Sequence, residues 1–183
     1  MHRTKLLFLL NNYFPEDVHE NEMKNCIIFF VNENPSCFDR SLLVGHITAS
    51  AMIVNHERTH SLFTHHTKLN KWLQLGGHSD GDSNTLNVAL REAEEESGLK
   101  SIIPITENIF DVDAHEIPAR KNEPAHIHYD IRFLFKADDN KPLLISSESK
   151  DLAWISLDDI ERYTTEESVL RMVRKVKQIA AHK

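Results

Sequence analysis

The segment from Gly77 to Leu99 constrains the fold of this 183-residue chain more than any other part of the sequence. Residues Thr85 to Ser97 carry apolar side chains at helical spacing, which predicts an amphipathic helix with one buried face. Gly98 follows directly, and glycine commonly ends a helix. The apolar run from Trp72 to Leu75 predicts a short strand before the helix. This order predicts a helix that packs against a sheet. The buried face consists of Leu86, Ala89, Leu90 and Ala93.

The other face of the predicted helix is acidic. Glu92, Glu95 and Glu96 stand at i, i+3 and i+4, so their side chains are neighbours. Like charges at this spacing destabilise a helix by about 0.2–0.5 kcal/mol per pair. A bound cation would neutralise them, and Mg²⁺ takes oxygen ligands of this kind. The alternative is an acidic helix face that is simply solvated.

The surrounding pattern resembles the Nudix box, which runs Gly, five residues, Glu, seven residues, Arg-Glu, an apolar residue, one residue, Glu-Glu, one residue, Gly and an apolar residue. If Gly77 is the first glycine, every position but one matches. The matching residues after it are Arg91, Glu92, Ala93, Glu95, Glu96, Gly98 and Leu99. The early glutamate falls on Ser83, and the adjacent Asp82 is a candidate to replace it. The chain is identified as a member of the Nudix hydrolase superfamily, similar to bacterial MutT-like proteins.

The resemblance implies an α/β fold, a Nudix-type α/β/α sandwich with a mixed sheet. It covers about residues 45–183, and residues 1–44 are interpreted as an N-terminal helical extension packed on the core. The residues themselves also predict a mixed sheet, because no regular strand–helix alternation is present. The clearest strand is His126 to Lys136, in which polar and apolar residues alternate. Thr164 and Glu167 have capping-box spacing and predict the start of a final helix.

The resemblance also implies an activity: hydrolysis of the diphosphate linkage of a nucleoside diphosphate derivative by water attack on phosphorus. A nucleotide sugar is the favoured substrate class. Glu95 and Glu96 would bind Mg²⁺, with Mn²⁺ as an alternative, and Glu92 would be a further ligand or activate the water. Arg91 would brace the carboxylates. Gly77 would allow a tight turn, and its carbonyl would join the metal shell.

Residues outside the helix extend the candidate site. Family members often supply a further acidic residue from a loop, and Glu148 is the candidate catalytic residue of this kind. The alternative is an ordinary surface glutamate. His78 and Asp80 lie in the stretch that leads into the box and are candidates to bind phosphate or sugar.

The polar residues of the predicted strand leave three alternatives open. They are His126, His128, Asp130 and Arg132. Two histidines at i and i+2 with an aspartate are a zinc-binding combination. A solvated strand face explains the same alternation. The preferred interpretation is that these residues line the substrate cleft.

Charge and cysteine content narrow the function further. The chain has 28 acidic and 21 basic residues and a formal net charge of −7, which disfavours binding to polymeric nucleic acid. No stretch is long enough to predict a membrane span. Cys26 and Cys37 form no CxxC pair, and a reducing cytoplasm is the expected location.

Two other functions fit the same fold. One is a non-catalytic nucleotide-sensing module. The other is an isopentenyl-diphosphate-isomerase-like enzyme, which would use a cysteine near its active site. The N-terminal extension also leaves a homodimer open.

Overall fold

The computed structural model describes residues 2–119, 124–147 and 149–181. The helices are α1 (Thr4–Asn11), α2 (Val18–Glu33), α3 (Thr85–Ser97) and α4 (Glu167–Ala181), with a short 3-10 helix at Ile160–Arg162. The strands are β1 (Gly45–Val54), β2 (His60–His66), β3 (Trp72–Leu73), β4 (Leu75–His78), β5 (Ile103–Pro104), β6 (Asp111–Ile117), β7 (His126–Lys136) and β8 (Ser149–Ser156). No helix within the described ranges is both long and apolar enough to cross a membrane.

The predicted α/β class is confirmed. The strands are hydrogen-bonded in the order β3-β2-β1-β7-β5, while β4 pairs with β1, β6 with β7, and β8 with β2. The strand predicted from alternation, β7, has the predicted bounds.

Helix α3 also begins and ends where the sequence predicts. Gly98 follows it with a φ of 74°, a left-handed conformation that glycine adopts without a steric penalty. The start of α4 differs from the prediction. This helix begins at Glu167, and the Thr164 hydroxyl accepts a hydrogen bond from Glu166 N at 3.2 Å. The capping-box prediction is therefore wrong, because Thr164 bonds within the turn before the helix.

The chain divides into two compact units. The first combines Met1–Ser50, Gly77–Ala89 and Glu107–Phe133, and the second combines Ala51–Gly76, Leu90–Thr106 and Leu134–Lys183.

In the first unit, α2 contacts β6. Phe30 of α2 stacks on Tyr129 of β7 with 4.0 Å between ring centroids. Helix α2 begins where the Asp17 side chain accepts a hydrogen bond from Glu20 N, so its N-terminus is capped. The N-terminal helices thus belong to the same compact unit as β6. The division into an extension over residues 1–44, packed on the core, and a Nudix domain over residues 45–183 stays a prediction.

In the second unit, β2 pairs antiparallel with both β3 and β8. Helix α4 buries one apolar side, formed by Val169, Met172, Val173 and Val176. Ile179, which the sequence places on the same side, is 40% exposed. The end of α3 is held by a hydrogen bond from Leu144 N to Ser97 O at 2.8 Å.

Candidate functional site

The acidic face of α3 consists of Glu92, Glu95 and Glu96. Glu95 is exposed, Glu96 is half-buried, and the Glu92 side chain retains 18% of its accessible surface. Ala89, Ala93 and Ser97 are fully buried, whereas Leu86 and Leu90, which the sequence also places on the buried face, are half-buried. The three glutamates share one helix face, but among the described residues only the ligand atoms of three histidines lie within 4.8 Å of one another. The carboxylate oxygens of the glutamates are a donor set that fits Mg²⁺.

Arg91 lies at the edge of this face. Its guanidinium Nη2 donates a hydrogen bond to the Glu92 carboxylate at 2.7 Å. The Arg91 side chain is 41% exposed, so solvent weakens the attraction between the two charges. The role of Arg91 as a brace for the carboxylates stays a prediction.

The turn before α3 lies later in the chain than the sequence suggests. Gly77 lies in strand β4, so the tight turn expected at this glycine is wrong. The chain reverses at residues 79–82, where Asp82 N donates to Ser79 O at 2.9 Å. Asp80 and Gly81 have φ angles of 47° and 87° there. Left-handed conformations suit Gly and Asp best, which explains why the turn forms at this pair. The role of the Gly77 carbonyl stays a prediction.

Asp82 has a local role in the same loop. Its carboxylate accepts a hydrogen bond from Asn84 N at 2.8 Å, immediately before the first residue of α3. This contact orders the loop where the Nudix pattern has its early glutamate and this chain has Ser83. Whether Asp82 replaces that glutamate in function stays a prediction.

Three strands of the first unit carry polar residues at alternate positions, and we call this set the polar face. It comprises His46, Thr48 and Ser50 of β1, Asp111, Asp113 and His115 of β6, and His126, His128, Asp130 and Arg132 of β7. In the β6–β7 register, Asp111 lies opposite Arg132, and His115 lies opposite His128. Directly opposed residues of an antiparallel pair point to the same side of the sheet. The polar face is largely buried, so the solvated strand expected as an alternative is wrong for Asp130 and Arg132, each 2% exposed.

Arg132 is the centre of an ionic network at one end of the polar face. Its guanidinium donates to Asp130 at 2.8 Å, to Asp113 at 3.0 Å and to Asp111 at 3.2 Å. Burial lowers the pKa of Arg132, but the three carboxylates outweigh burial and raise this pKa above its ordinary value. The guanidinium therefore stays charged. Thr48 and Ser50 hydroxyls also donate to Asp130, at 3.0 and 2.8 Å.

Four histidines meet at the other end, and we call them the histidine cluster: His46, His78, His126 and His128. The His46 ring centroid lies 5.1 Å from that of His78, 5.0 Å from that of His126 and 4.9 Å from that of His128. One ligating atom from each of His46, His78 and His128 can be chosen so that all three lie within 4.8 Å of one another. The cluster thus brings imidazoles from three strands together.

Burial keeps two members of the cluster neutral. It lowers the pKa of His46 to about 4, with His78 and His126 adding to the effect and the Leu42 backbone opposing it. Burial likewise lowers the pKa of His128 to about 2, with further contributions from neighbouring histidines. A proton on either ring would be poorly solvated and close to other cationic groups. Both imidazoles are therefore uncharged at neutral pH.

The predicted site residues thus fall into different places. His78, His126 and His128 meet in the histidine cluster, while Asp130 and Arg132 belong to the ionic network. Asp80 is exposed, and its carboxylate lies 3.8 Å from the Arg40 guanidinium. Glu148 lies outside the described residues. Substrate contact by any of these side chains stays a prediction.

Sequence reasoning missed His46, Asp111 and Asp113. The signal was present, because β1 and β6 each carry polar residues at every second position of a stretch that otherwise predicts a buried strand. The alternation of polar residues in β1 and in β6, the two strands that flank β7, predicts that these residues share one side of the sheet with the polar residues of β7.

The two cysteines lie in different environments. Cys26 is exposed on α2, and Cys37 is buried. Burial raises the pKa of the Cys37 thiol to about 11, so this thiol is protonated at neutral pH. A protonated thiol is a weak nucleophile.

Comparison with known proteins adds the family relationship. The model of the NUDIX domain family matches residues 45–176. No curated protein matches the chain.

Solved structures show the same fold. An Ap4A hydrolase from C. elegans aligns with a TM-score of 0.58 and 17% identity, over 75% of this chain and 98% of its own. A NUDIX-family hydrolase from Clostridium perfringens aligns with a TM-score of 0.52 and 25% identity, over 73% and 97%. The NUDIX domain of Shewanella oneidensis NrtR, crystallised with ADP ribose, aligns with a TM-score of 0.51 and 14% identity, over 82% and 95%. These matches confirm the predicted Nudix-type α/β/α fold.

Proposed function

The chain belongs to the NUDIX family and is a hydrolase, and we propose that it cleaves nucleoside diphosphate derivatives with Mg²⁺ bound at the acidic face of α3. The observation that carries this proposal is the placement of Glu92, Glu95 and Glu96 on one face of α3 at the Nudix spacing, with Arg91 bonded to Glu92. A divalent cation bound by carboxylate oxygens would offset the repulsion between like charges at this spacing.

Each residue of this face has a separate role in the proposal. Glu95 and Glu96 hold the Mg²⁺, and Glu92 accepts the proton of the attacking water. Arg91 is a positioning residue that fixes the Glu92 carboxylate. When bound, Mg²⁺ supplies charge neutralisation and Lewis acidity at the diphosphate. Mn²⁺ would serve in the same oxygen ligand set.

The proposed reaction is a substitution at phosphorus. The water oxygen forms a bond to one phosphorus of the diphosphate, while the bond from that phosphorus to the bridging oxygen breaks. The bridging oxygen leaves with the other phosphate group, and the proton of the water passes to Glu92. A positioned carboxylate of this kind contributes about 10²–10⁴-fold to a rate.

For the substrate we propose a nucleoside diphosphate sugar. The Shewanella domain was crystallised with ADP ribose, which belongs to that class, and the C. elegans relative is named for Ap4A. His78, which precedes the turn into α3, and Asp80, which lies in this turn, would contact the sugar or a phosphate. Glu148 would add a further carboxylate. A cytoplasmic location and a homodimer also stay predictions.

A substrate panel tests the proposal. Nucleoside diphosphate sugars, dinucleoside polyphosphates and nucleoside triphosphates are incubated with the chain and Mg²⁺, and nucleotide release is measured. Glu95→Gln and Glu96→Gln should raise the Mg²⁺ concentration required for half-maximal rate. Glu92→Gln should instead lower kcat by about 10²–10⁴-fold at saturating Mg²⁺.

Glu94→Gln is the matched control. Glu94 lies on the same helix, within the acidic run but outside the i, i+3, i+4 set, so its substitution should leave the rate unchanged. Turnover that is indifferent to all three glutamates would refute the proposed site. Tight nucleotide binding without turnover of any compound would instead identify a nucleotide-sensing module, the alternative that Ser83 leaves room for.

A further inference from the structure

We propose that His46, His78 and His128 form a binding site for a zinc ion, distinct in ligands and metal preference from the magnesium site on α3. This inference does not depend on the proposed hydrolysis. It rests on the geometry of the histidine cluster, on the hydrogen bonding of His46 and on the ligand chemistry of imidazole.

The geometry is close to that of a zinc site. Zn–N bonds of about 2.0–2.1 Å in a tetrahedral site place ligand nitrogens about 3.3 Å apart. The chosen atoms of His46, His78 and His128 already lie within 4.8 Å of one another. Small rotations of the rings would close this gap. Three ligands would leave a fourth position for water or a substrate oxygen, as in open zinc sites.

His46 supplies the independent observation. Its side chain is fully buried, at 1% exposure, and neither ring nitrogen has a hydrogen-bond partner of normal geometry among the described residues. Burying a polar group without such a partner costs its hydration free energy, so buried polar groups are rarely left in this state. A metal ion bound by the ring removes this penalty. Packing of the ring alone would be served equally well by an apolar residue.

The ligand chemistry selects zinc over magnesium. Imidazole nitrogen suits zinc and other late transition metals, whereas Mg²⁺ requires hard oxygen ligands in octahedral geometry. Neutral imidazole is the form that binds metal.

The surroundings of the cluster support a cation. His126 donates from Nδ1 to the Pro124 carbonyl at 2.9 Å, and its Nε2 lies 3.2 Å from His128 Nε2. A hydrogen-bonding partner beside a ligand imidazole is the usual arrangement in metal sites, so His126 is a positioning residue. The ring of His115 lies 5.7 Å from that of His128, and its Nδ1 is 2.9 Å from the Asp113 carboxylate. The ionic network contributes three carboxylates and one guanidinium, an excess of negative charge on the same polar face.

Direct metal titration tests the site. The full chain is stripped with EDTA and then titrated with Zn²⁺ in competition with a chromophoric chelator. We expect one equivalent to bind, to persist in excess Mg²⁺ and to raise the melting temperature of the chain, because a ligand of the folded state alone stabilises that state. Co²⁺ in place of Zn²⁺ should give the intense visible absorption of a tetrahedral site.

The variants separate metal binding from folding. His78→Gln removes a half-buried ligand and should weaken Zn²⁺ binding by more than about tenfold. It should leave the melting temperature in EDTA unchanged. His46→Gln should lose the ion as well, but its burial makes a folding defect possible, so His78→Gln carries the test. His56→Ala, at an exposed histidine in the β1–β2 turn, should bind zinc like the parent chain.

A final variant separates the two metal sites. Glu95→Gln should keep full Zn²⁺ affinity while it impairs Mg²⁺-dependent turnover. The proposal fails if the parent chain binds less than one equivalent, or if His78→Gln binds as tightly as His56→Ala. It also fails if Zn²⁺ binding is lost in Glu95→Gln. Those results would mean that the histidine rings only pack against one another, or that zinc binds at the α3 carboxylates.

Discussion

The polar face and the acidic face of α3 both concentrate titratable groups, but they handle charge in opposite ways. On the polar face, Arg132 is surrounded by carboxylates at 2.8–3.2 Å, and the buried histidines are neutral. On α3, three glutamates share one helix face, and the Arg91 side chain, which is 41% exposed, contacts Glu92. Burial, rather than residue type, therefore decides how charge is balanced in these two regions.

The physical reason is the cost of desolvation. An unpaired charge in a buried site loses several kcal/mol of hydration, so the polar face pairs or neutralises its groups. Water and salt screen the carboxylates of α3, so their mutual repulsion costs only tenths of a kcal/mol per pair. Of the three glutamates on this face, Glu95 is the one that is exposed to an incoming cation.

Arg132→Met should have the largest effect on the free energy of unfolding. The substitution leaves the carboxylates of Asp111, Asp113 and Asp130 buried without a cation, so the free energy of unfolding should fall by about 3–5 kcal/mol. Urea denaturation followed by circular dichroism measures the loss. Arg162→Met is the control, because the Arg162–Asp159 pair is exposed, at 79% and 44%, and should contribute less than about 1 kcal/mol. Equal losses from both substitutions would show that burial does not decide how much an ion pair contributes to stability.

The second test is the pH dependence of stability in EDTA. The pKa values of His46 and His128 are about 4 and about 2 in the folded chain, below the ordinary value near 6.5. The unfolded state therefore binds more protons than the folded state below about pH 6.5, and stability should fall as the pH falls. Each group contributes a slope of up to about 1.4 kcal/mol per pH unit. Urea midpoints between about pH 7.5 and 5 measure it. His128→Gln should flatten the profile, and an unchanged profile would show that these rings titrate normally.

The third test concerns the end of α3. Gly98→Ala places a side chain at a φ of 74°, and its Cβ would come within 2.6 Å of Leu144 Cβ. Together with the left-handed backbone this should cost about 1–2 kcal/mol of unfolding free energy. The double variant with Leu144→Gly removes the Leu144 Cβ and leaves the backbone strain. Its loss relative to Leu144→Gly alone measures the strain, and the rest of the loss in Gly98→Ala measures the contact. A loss confined to the single variant would assign the whole cost to Leu144.

The smallest effect on stability should come from Arg91→Met. Because the pair with Glu92 is partly exposed, the free energy of unfolding should change by less than about 1 kcal/mol. Turnover should nevertheless fall by about 10–100-fold, since Glu92 loses the group that orients it. Partial rescue of turnover by Arg91→Lys would support the bracing role. A large loss of stability with normal turnover would mean that Arg91, like Arg132, contributes to folding rather than to catalysis.

Local patterns in the sequence predict the elements that depend on local rules. The bounds of α3 and β7 follow from periodicity, and the left-handed Gly98 follows from the helix end it must close. The Nudix spacing places Glu92, Glu95 and Glu96 on one face because a helix fixes i, i+3 and i+4 as neighbours. The turn at Asp80 and Gly81 was misplaced to Gly77, since a pair of glycines suggests a turn even where the backbone is extended.

The tertiary structure decided what no local pattern contains. Pairing of β6 with β7 places Asp111 and Asp113 beside Arg132. The polar residues Asp130 and Arg132, whose alternation alone is compatible with a solvated strand face, therefore belong to a buried ionic network. The histidine cluster draws His46, His78 and His128 from three strands that are distant in the chain. The sequence alone thus determined the family, the fold class and the acidic helix, because these depend on short-range spacing. Strand pairing and burial decided which polar residues meet, because desolvation acts only once the chain has packed.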